Sequence, residues 1–290
     1  SDLPAASQSK SKSLLFRFNI RYSTSMIYSA ESHSTSTMQR LLDSFRDTPV
    51  SWVADTFKPL TPLVTNAVPM SHLTTAEGCA SVLKRYLDAN AADAAQCDKR
   101  RARISMWSQW YFATLLPSWV IVSLRHGWQL PIAAQNVYLC MQEEGLPAQI
   151  YLDGEGEALT SAEPMARFDV MIEQHLRPVC EALAEFSGLK PGIYWSNAAI
   201  RVGWGVKQAE LANADISDGM ALMESRELRR GGKNPLFQPL RPENPADPDS
   251  PQYRKQCCLR YDLADHAMCP SCPLLLAERK SGKRRKTMAE

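Results

Sequence analysis

The sequence has no real excess of charge of either sign: 33 Lys and Arg stand against 31 Asp and Glu, a net +2 over 290 residues. That balance gives no electrostatic case for a nucleic-acid partner. Glycine is thin, 13 residues in all, and no Gly-rich dinucleotide fingerprint follows a strand pattern. Gly203-Trp204-Gly205 lacks both the third glycine and the preceding strand. The chain is therefore not expected to bind a nicotinamide itself. A recognisable phosphate loop and a haem-attachment motif are also missing. The opening SDLPAASQSKSKS is polar and lacks the apolar centre of a secretory signal.

What is present is an ordinary apolar fraction, 44%, with 22% charged residues, enough for a real core. Residues 104–124 carry no charge and are long enough to cross a bilayer. Ser105, Ser108, Gln109, Thr114, Ser118 and Ser123 interrupt them, Pro117 sits inside, and the Trp residues are spread along the stretch. Those features read as a buried helix, with at most peripheral membrane contact.

The rest of the chain alternates between helical and strand periods. Residues 37–47 suggest a short helix. Thr74 and Glu77 have capping-box spacing ahead of a helix through Val82, Leu83, Tyr86 and Leu87. Residues 91–103 are polar and basic and precede the uncharged helix. Alternation of Val137, Leu139 and Met141, then Ile150 and Leu152, about a Glu-Glu-Gly turn predicts a β-hairpin over 136–153. Thr160 and Ser161 can cap a helix whose apolar face is Phe168, Ile172, Leu176, Val179, Leu183 and Phe186. Pro178 should kink that helix, and Gly188 with Pro191 should end it. Residues 194–213 form another helical candidate, weakened by Gly203 and Gly205. Six prolines between 229 and 251 give that stretch the composition of a linker. The expected class is α+β, mainly α: a helical body, a small hairpin and a short Cys-rich C-terminal segment.

Cysteine usage divides in two. Cys79, Cys97, Cys140 and Cys180 are scattered singly, which reads as ordinary thiols in a reducing compartment, the cytoplasm. The other four form a Cys257-Cys258, ten-residue, Cys269-x-x-Cys272 pattern. Four soft thiolates this close are expected as metal ligands. Three chemistries compete: an iron–sulfur cluster, structural zinc, or redox thiols. Zinc sites usually present two Cys-x-x-Cys knuckles, which an adjacent pair fits poorly. Neighbours in an extended chain point to opposite sides, which suits a two-iron core better than one tetrahedral ion. Adjacent cysteines match no common ferredoxin spacing, so the alternatives stay open at this level.

Cys257-Cys258-Leu259-Arg260-Tyr261, followed by Cys269 and Cys272, resembles the C-terminal motif of the FhuF-type ferric siderophore reductases. Trp107-Ser108-Gln109-Trp110-Tyr111-Phe112 with Leu115-Leu116-Pro117, Tyr194-Trp195-Ser196-Asn197 with Trp204, and Asn234-Pro235-Leu236-Phe237 resemble further segments of that family in the same order. The resemblance covers residues 75–275. It implies a 2Fe-2S cluster on Cys257, Cys258, Cys269 and Cys272, and reduction of hydroxamate-type ferric siderophores with release of Fe2+ in the cytoplasm. Electrons should come from a separate ferredoxin or flavoprotein. The implied organisation is a variable region 1–70, a siderophore-binding helical body 71–228, a Pro-rich linker 229–256, a cluster segment 257–275 and a basic tail 276–290.

Other residues carry two readings each. Trp107, Trp110, Tyr111, Trp195 and Trp204 either line a siderophore pocket or belong to the core. Asn197 binds a ligand or caps a helix. Arg260 pairs with the cluster or an acidic donor, or is solvated. His266 is an exposed loop histidine or a proton donor. Arg254, Lys255, Arg260 and His266 flank the cysteines, and positive charge held close would raise a cluster potential. The tail 279–286 is a solvated run or steers an acidic donor. Trp110, Trp195, Asn197 and Arg260 are the candidate substrate contacts. The rival functions are a zinc-stabilised binding protein and a relative of the siderophore synthetases.

Overall fold

The computed structural model describes residues 36–247 and 249–281. Residues 1–35 of the N-terminal region and most of the basic tail lie outside the described residues. Ser36 opens α1 (Thr37–Asp43), its Oγ accepting from the Gln39 amide at 3.1 Å. Two short strands follow, β1 (Phe57–Pro59) and β2 (Val68–Pro69). The cap of α2 (Ala76–Ala89) is Thr75, not the expected Thr74. Thr75 has the extended backbone a cap needs and accepts from the Gly78 amide at 3.1 Å. The Thr74 hydroxyl instead turns back to the Ser71 carbonyl at 2.7 Å. Glu77 still lies in the first turn, where a carboxylate offsets the helix dipole.

The polar stretch 91–103 does not stand apart from the uncharged helix. It supplies α3 (Ala91–Ala94) and the opening turns of α4 (Cys97–His126), which ends at Gly127 with φ +58°. Most of α4 is buried, because α2, β5, α6, α7 and α8 surround it. This explains its lack of a polar face, and its polar side chains are absorbed locally. Thr114 donates to the Trp110 carbonyl at 2.9 Å, and Ser118 meets Thr56 at 2.7 Å. Trp107 and Trp119 reach the carbonyls of Gly145 and Leu130, each at 2.9 Å. Among the described residues no helix is long and apolar enough to cross a membrane.

β3 (Trp128–Gln129) precedes the expected hairpin, β4 (Val137–Met141) and β5 (Pro147–Leu152). Leu139 pairs with Ile150 and Val137 with Leu152, so the alternating apolar residues share the buried face. β1 adds in parallel to β5 and β2 antiparallel to β4, giving the order β1-β5-β4-β2. β6 (Glu157–Ala158) pairs with β3.

Thr160 and Ser161 do not cap the next helix. Winding begins at Ala166 and passes through α5 (Asp169–Met171) and a π turn (Ile172–Leu176) into α6 (Arg177–Ser187). That π turn ends just before Pro178, which occupies the first turn of α6, where proline's missing N–H costs no helix bond. Gly188, φ +69°, closes α6, and Pro191 opens α7 (Pro191–Leu211). α7 runs straight through Gly203 and Gly205. A Cβ on Gly205 would lie 2.9 Å from Pro117 Cα, so glycine is what lets the two helices touch. α7 and α4 run in the same direction: Asn197 meets Ser105, Gly205 meets Pro117, and Ala212 meets Arg125. α8 (Ser217–Glu224) completes the body.

The Pro-rich stretch is more structured than its composition suggests. Leu236 and Asn234 are buried, and β7 (Leu240–Pro242) pairs with β8 (Gln252–Arg254) as a small ribbon. A two-stranded edge tolerates the proline that a central strand would not. α9 (Pro273–Ser281) follows the last cysteine.

Candidate metal centre

Four thiols meet where the C-terminal segment crosses the start of α4 and α7. Cys258, Cys269 and Cys272 are buried, and Cys257 is half-exposed. The Cys258 and Cys269 sulfurs lie 3.9 Å apart. Cys257 lies within electrostatic reach of Cys258 and Cys272, and Cys269 of the same two. Hydrogen bonding from Cys269, helped by the nearby Arg254 charge, brings the Cys258 thiol down to about 6 against its burial. The neighbouring Cys257 and Cys269 hold Cys272 low as well. Cys257 and Cys269 are pushed up. Binding metal would displace the protons these sulfurs carry.

This donor set fits an iron–sulfur cluster. All four groups are soft sulfur and all are free of disulfides.

Local structure explains how the segment folds back. Leu259, φ +64°, turns the chain sharply after the cysteine pair, and its amide donates to Cys257 Sγ at 3.4 Å. A left-handed leucine is strained, by about 1 kcal/mol or more, so the surroundings must hold it. Leu263 does so by packing with Ala102 and Met106, with Leu259 and Trp110 against them. The Cys272 amide returns to the Cys269 carbonyl at 3.0 Å, and Pro273 then starts α9. The Arg254 amide donates to the Ser271 carbonyl at 2.8 Å, tying β8 to the same turn.

Three polar links join the segment to the body. Ser105 Oγ donates to the Cys258 carbonyl at 2.8 Å. Asn197 is 1% exposed; its amide nitrogen donates to Ser105 Oγ at 3.2 Å and Ser108 Oγ at 3.0 Å, and its oxygen accepts from Arg254 Nη2 at 2.5 Å. Arg103 reaches Asp265, between the two cysteine pairs.

Of the candidate substrate contacts, Trp110 and Arg260 are half-buried beside the cysteine loop. Trp195 is buried under the Arg177 guanidinium, 5.9 Å from its ring. Trp107 and Tyr111 are core residues, and Trp204 is exposed, stacked on Trp52 at 5.4 Å. His266 is half-buried, its pKa lowered chiefly by burial. Sequence reasoning missed Arg103, Ser105, Ser108 and Asp265 as contributors. Their signal was weak, since serines in an apolar helix look like incidental polarity until a partner is in place.

Residues 105–250, half of the chain, match the family described as "Ferric iron reductase FhuF-like transporter". Residues 254–274, which contain all four clustered cysteines, match the "FhuF 2Fe-2S C-terminal domain", so the cofactor of this segment is a 2Fe-2S cluster. The "Ferric siderophore reductase" of Escherichia coli (strain K12) is 27% identical over 175 residues, covering 59% of this chain. The chain spans 65% of that relative's length, a little under two thirds. The chain belongs to the FhuF-like ferric iron reductase family.

Proposed function

We propose that the protein reduces ferric siderophores of the hydroxamate type by one electron and releases Fe2+ in the cytoplasm. One observation carries this reading: four sulfur ligands, three buried and Cys257 half-exposed, docked on a helical body through Asn197 and Arg254. The E. coli relative's description as a ferric siderophore reductase supports it. A 2Fe-2S cluster supplies one-electron chemistry when bound. Hydroxamate oxygens hold Fe3+ as hard ligands, and Fe2+, with less charge, leaves them more readily.

The chain's own residues then divide the work. Cys257, Cys258, Cys269 and Cys272 hold the cluster. Trp110 and Arg260 offer an apolar face and a cation beside the cysteine loop for the siderophore, and Trp195 and Asn197 are the remaining substrate contacts. Residues 71–228 form the binding body, 229–256 the connection and 257–275 the redox segment. Residues 1–70 form a separate N-terminal region, and the basic tail 276–290 steers an acidic ferredoxin or a flavoprotein donor.

The test is anaerobic reduction of a ferric hydroxamate by reconstituted protein, with an Fe2+-specific chromogenic chelator as trap. Colour should form with the wild-type protein and fall to background with Cys258→Ser. Equal rates for the two proteins would overturn the proposal.

A further inference from the structure

Three arginines lie near the cysteine segment without an acid among them. Arg254 is 3% exposed, donates through Nη2 to Asn197 and Ser196, and leaves Nε buried with no hydrogen-bond partner. Arg260 also has a buried Nε without a partner. Arg201, one turn beyond Asn197 on α7, is half-buried and within electrostatic reach of Arg254, Arg260 and Cys258. Burial first, then the two neighbouring guanidiniums, lower its pKa. Among the described residues none of the three makes a salt bridge. Arg103, by contrast, is neutralised by Asp93 and Asp265.

Unpaired guanidiniums crowded together in a protein interior are costly unless an anion offsets them. The anion within reach is sulfur: Arg254 and Arg201 both interact with Cys258. Two ferric ions, two sulfides and four thiolates sum to a net double negative charge, and reduction adds a third. A fixed cationic set therefore favours the reduced form over the oxidised one.

From this geometry we infer that Arg254, held in place by Asn197 and Ser196, acts with Arg201 and Arg260 as an unneutralised cationic set that raises the potential of the cluster. This rests on the cofactor assignment above and deepens the proposed function. It casts Arg254 as a positioning residue that joins the segment to the body and sets its electron affinity.

The test is a mediator-buffered spectroelectrochemical titration of anaerobically reconstituted protein, with no siderophore present. Arg254→Gln and Arg201→Gln should each lower the reduced-to-oxidised ratio at fixed poise about tenfold, a shift of ~59 mV for one electron. Arg254→Lys should recover most of the loss. If Arg254→Gln sheds its cluster, Arg201→Gln and Arg260→Gln decide, since neither makes the Asn197 link. Variants with full iron content and wild-type potentials would overturn the inference and leave the arginines a purely structural role. Because siderophore is absent, a failed reductase reading would not disturb this measurement.

Discussion

Asp265 receives both terminal nitrogens of Arg103, Nη1 and Nη2, each at 2.9 Å, across 162 positions of chain. Asp265 lies in the loop between the two cysteine pairs, and Arg103 is anchored in α4 with Asp93 as its second partner. The loop that brings Cys269 and Cys272 back to Cys258 is therefore pinned to the body by a two-pronged ion pair.

Arg103→Leu should release that loop. The Arg103 side chain is 8% exposed but Asp265 is half-exposed, so the loss should be about 2 kcal/mol, below the range for a fully buried pair. Iron should also leave the variant faster when a chelator is added. Unfolding midpoints and iron-release rates equal to wild type would contradict this role.

Asn197→Ala should be more damaging. It leaves Arg254 without its closest acceptor and strips Ser105 and Ser108 of a donor, in a site closed to water. Each orphaned buried group costs about 1–3 kcal/mol, so a total near 3 kcal/mol is expected in urea unfolding. Reconstituted variant protein should retain less iron per chain. A change confined to siderophore affinity, with unaltered stability, would show Asn197 to be a ligand contact instead.

Gly205→Ala places a methyl 2.9 Å from Pro117 Cα and 3.2 Å from both Pro117 O and Val120 Cβ. Overpacking of this kind costs about 1–3 kcal/mol, of which alanine's better helix propensity returns about 1 kcal/mol. A modest fall in thermal midpoint is expected. A rise would mean that α4 and α7 can separate without penalty.

His175 makes the fold acid-sensitive. Its Nδ1 is 2.7 Å from the Ile132 carbonyl and must carry the proton, which leaves Nε2, at 2.8 Å, to accept from the Tyr111 hydroxyl. Burial pulls its pKa down to about 4. In the unfolded chain the same group titrates near ~6.5, so between these values the unfolded state binds more protons. The contribution is complete above pH ~6.5 and declines as pH falls, by about 3 kcal/mol near pH 4. Urea unfolding across that window should give a shallower pH slope for His175→Gln than for wild type. Identical slopes would place the acid sensitivity elsewhere.

Much of this architecture is legible in the residues themselves. The hairpin announces itself by strict alternation, and the α6–α7 boundary by Gly188 and Pro191. The metal centre shows in the spacing of its sulfurs. Local competition hid other features. Thr74 and Thr75 offer the same hydroxyl one residue apart, and only the backbone direction chooses between them. Gly205 reads as a helix breaker because its use, contact with Pro117, lies 88 positions away in sequence (205 against 117). The prolines of 229–251 conceal a ribbon whose strand β8 carries Arg254, the residue that fixes the cluster segment to the body.

The most direct measurement is an anaerobic visible spectrum of the purified or reconstituted protein, with iron, sulfide and zinc analysis, before and after dithionite. The expected result is two irons and two sulfides per chain, with bleaching on reduction and loss of the colour in Cys258→Ser. One zinc per chain, no iron and no colour after reconstitution would contradict the cluster on these four cysteines.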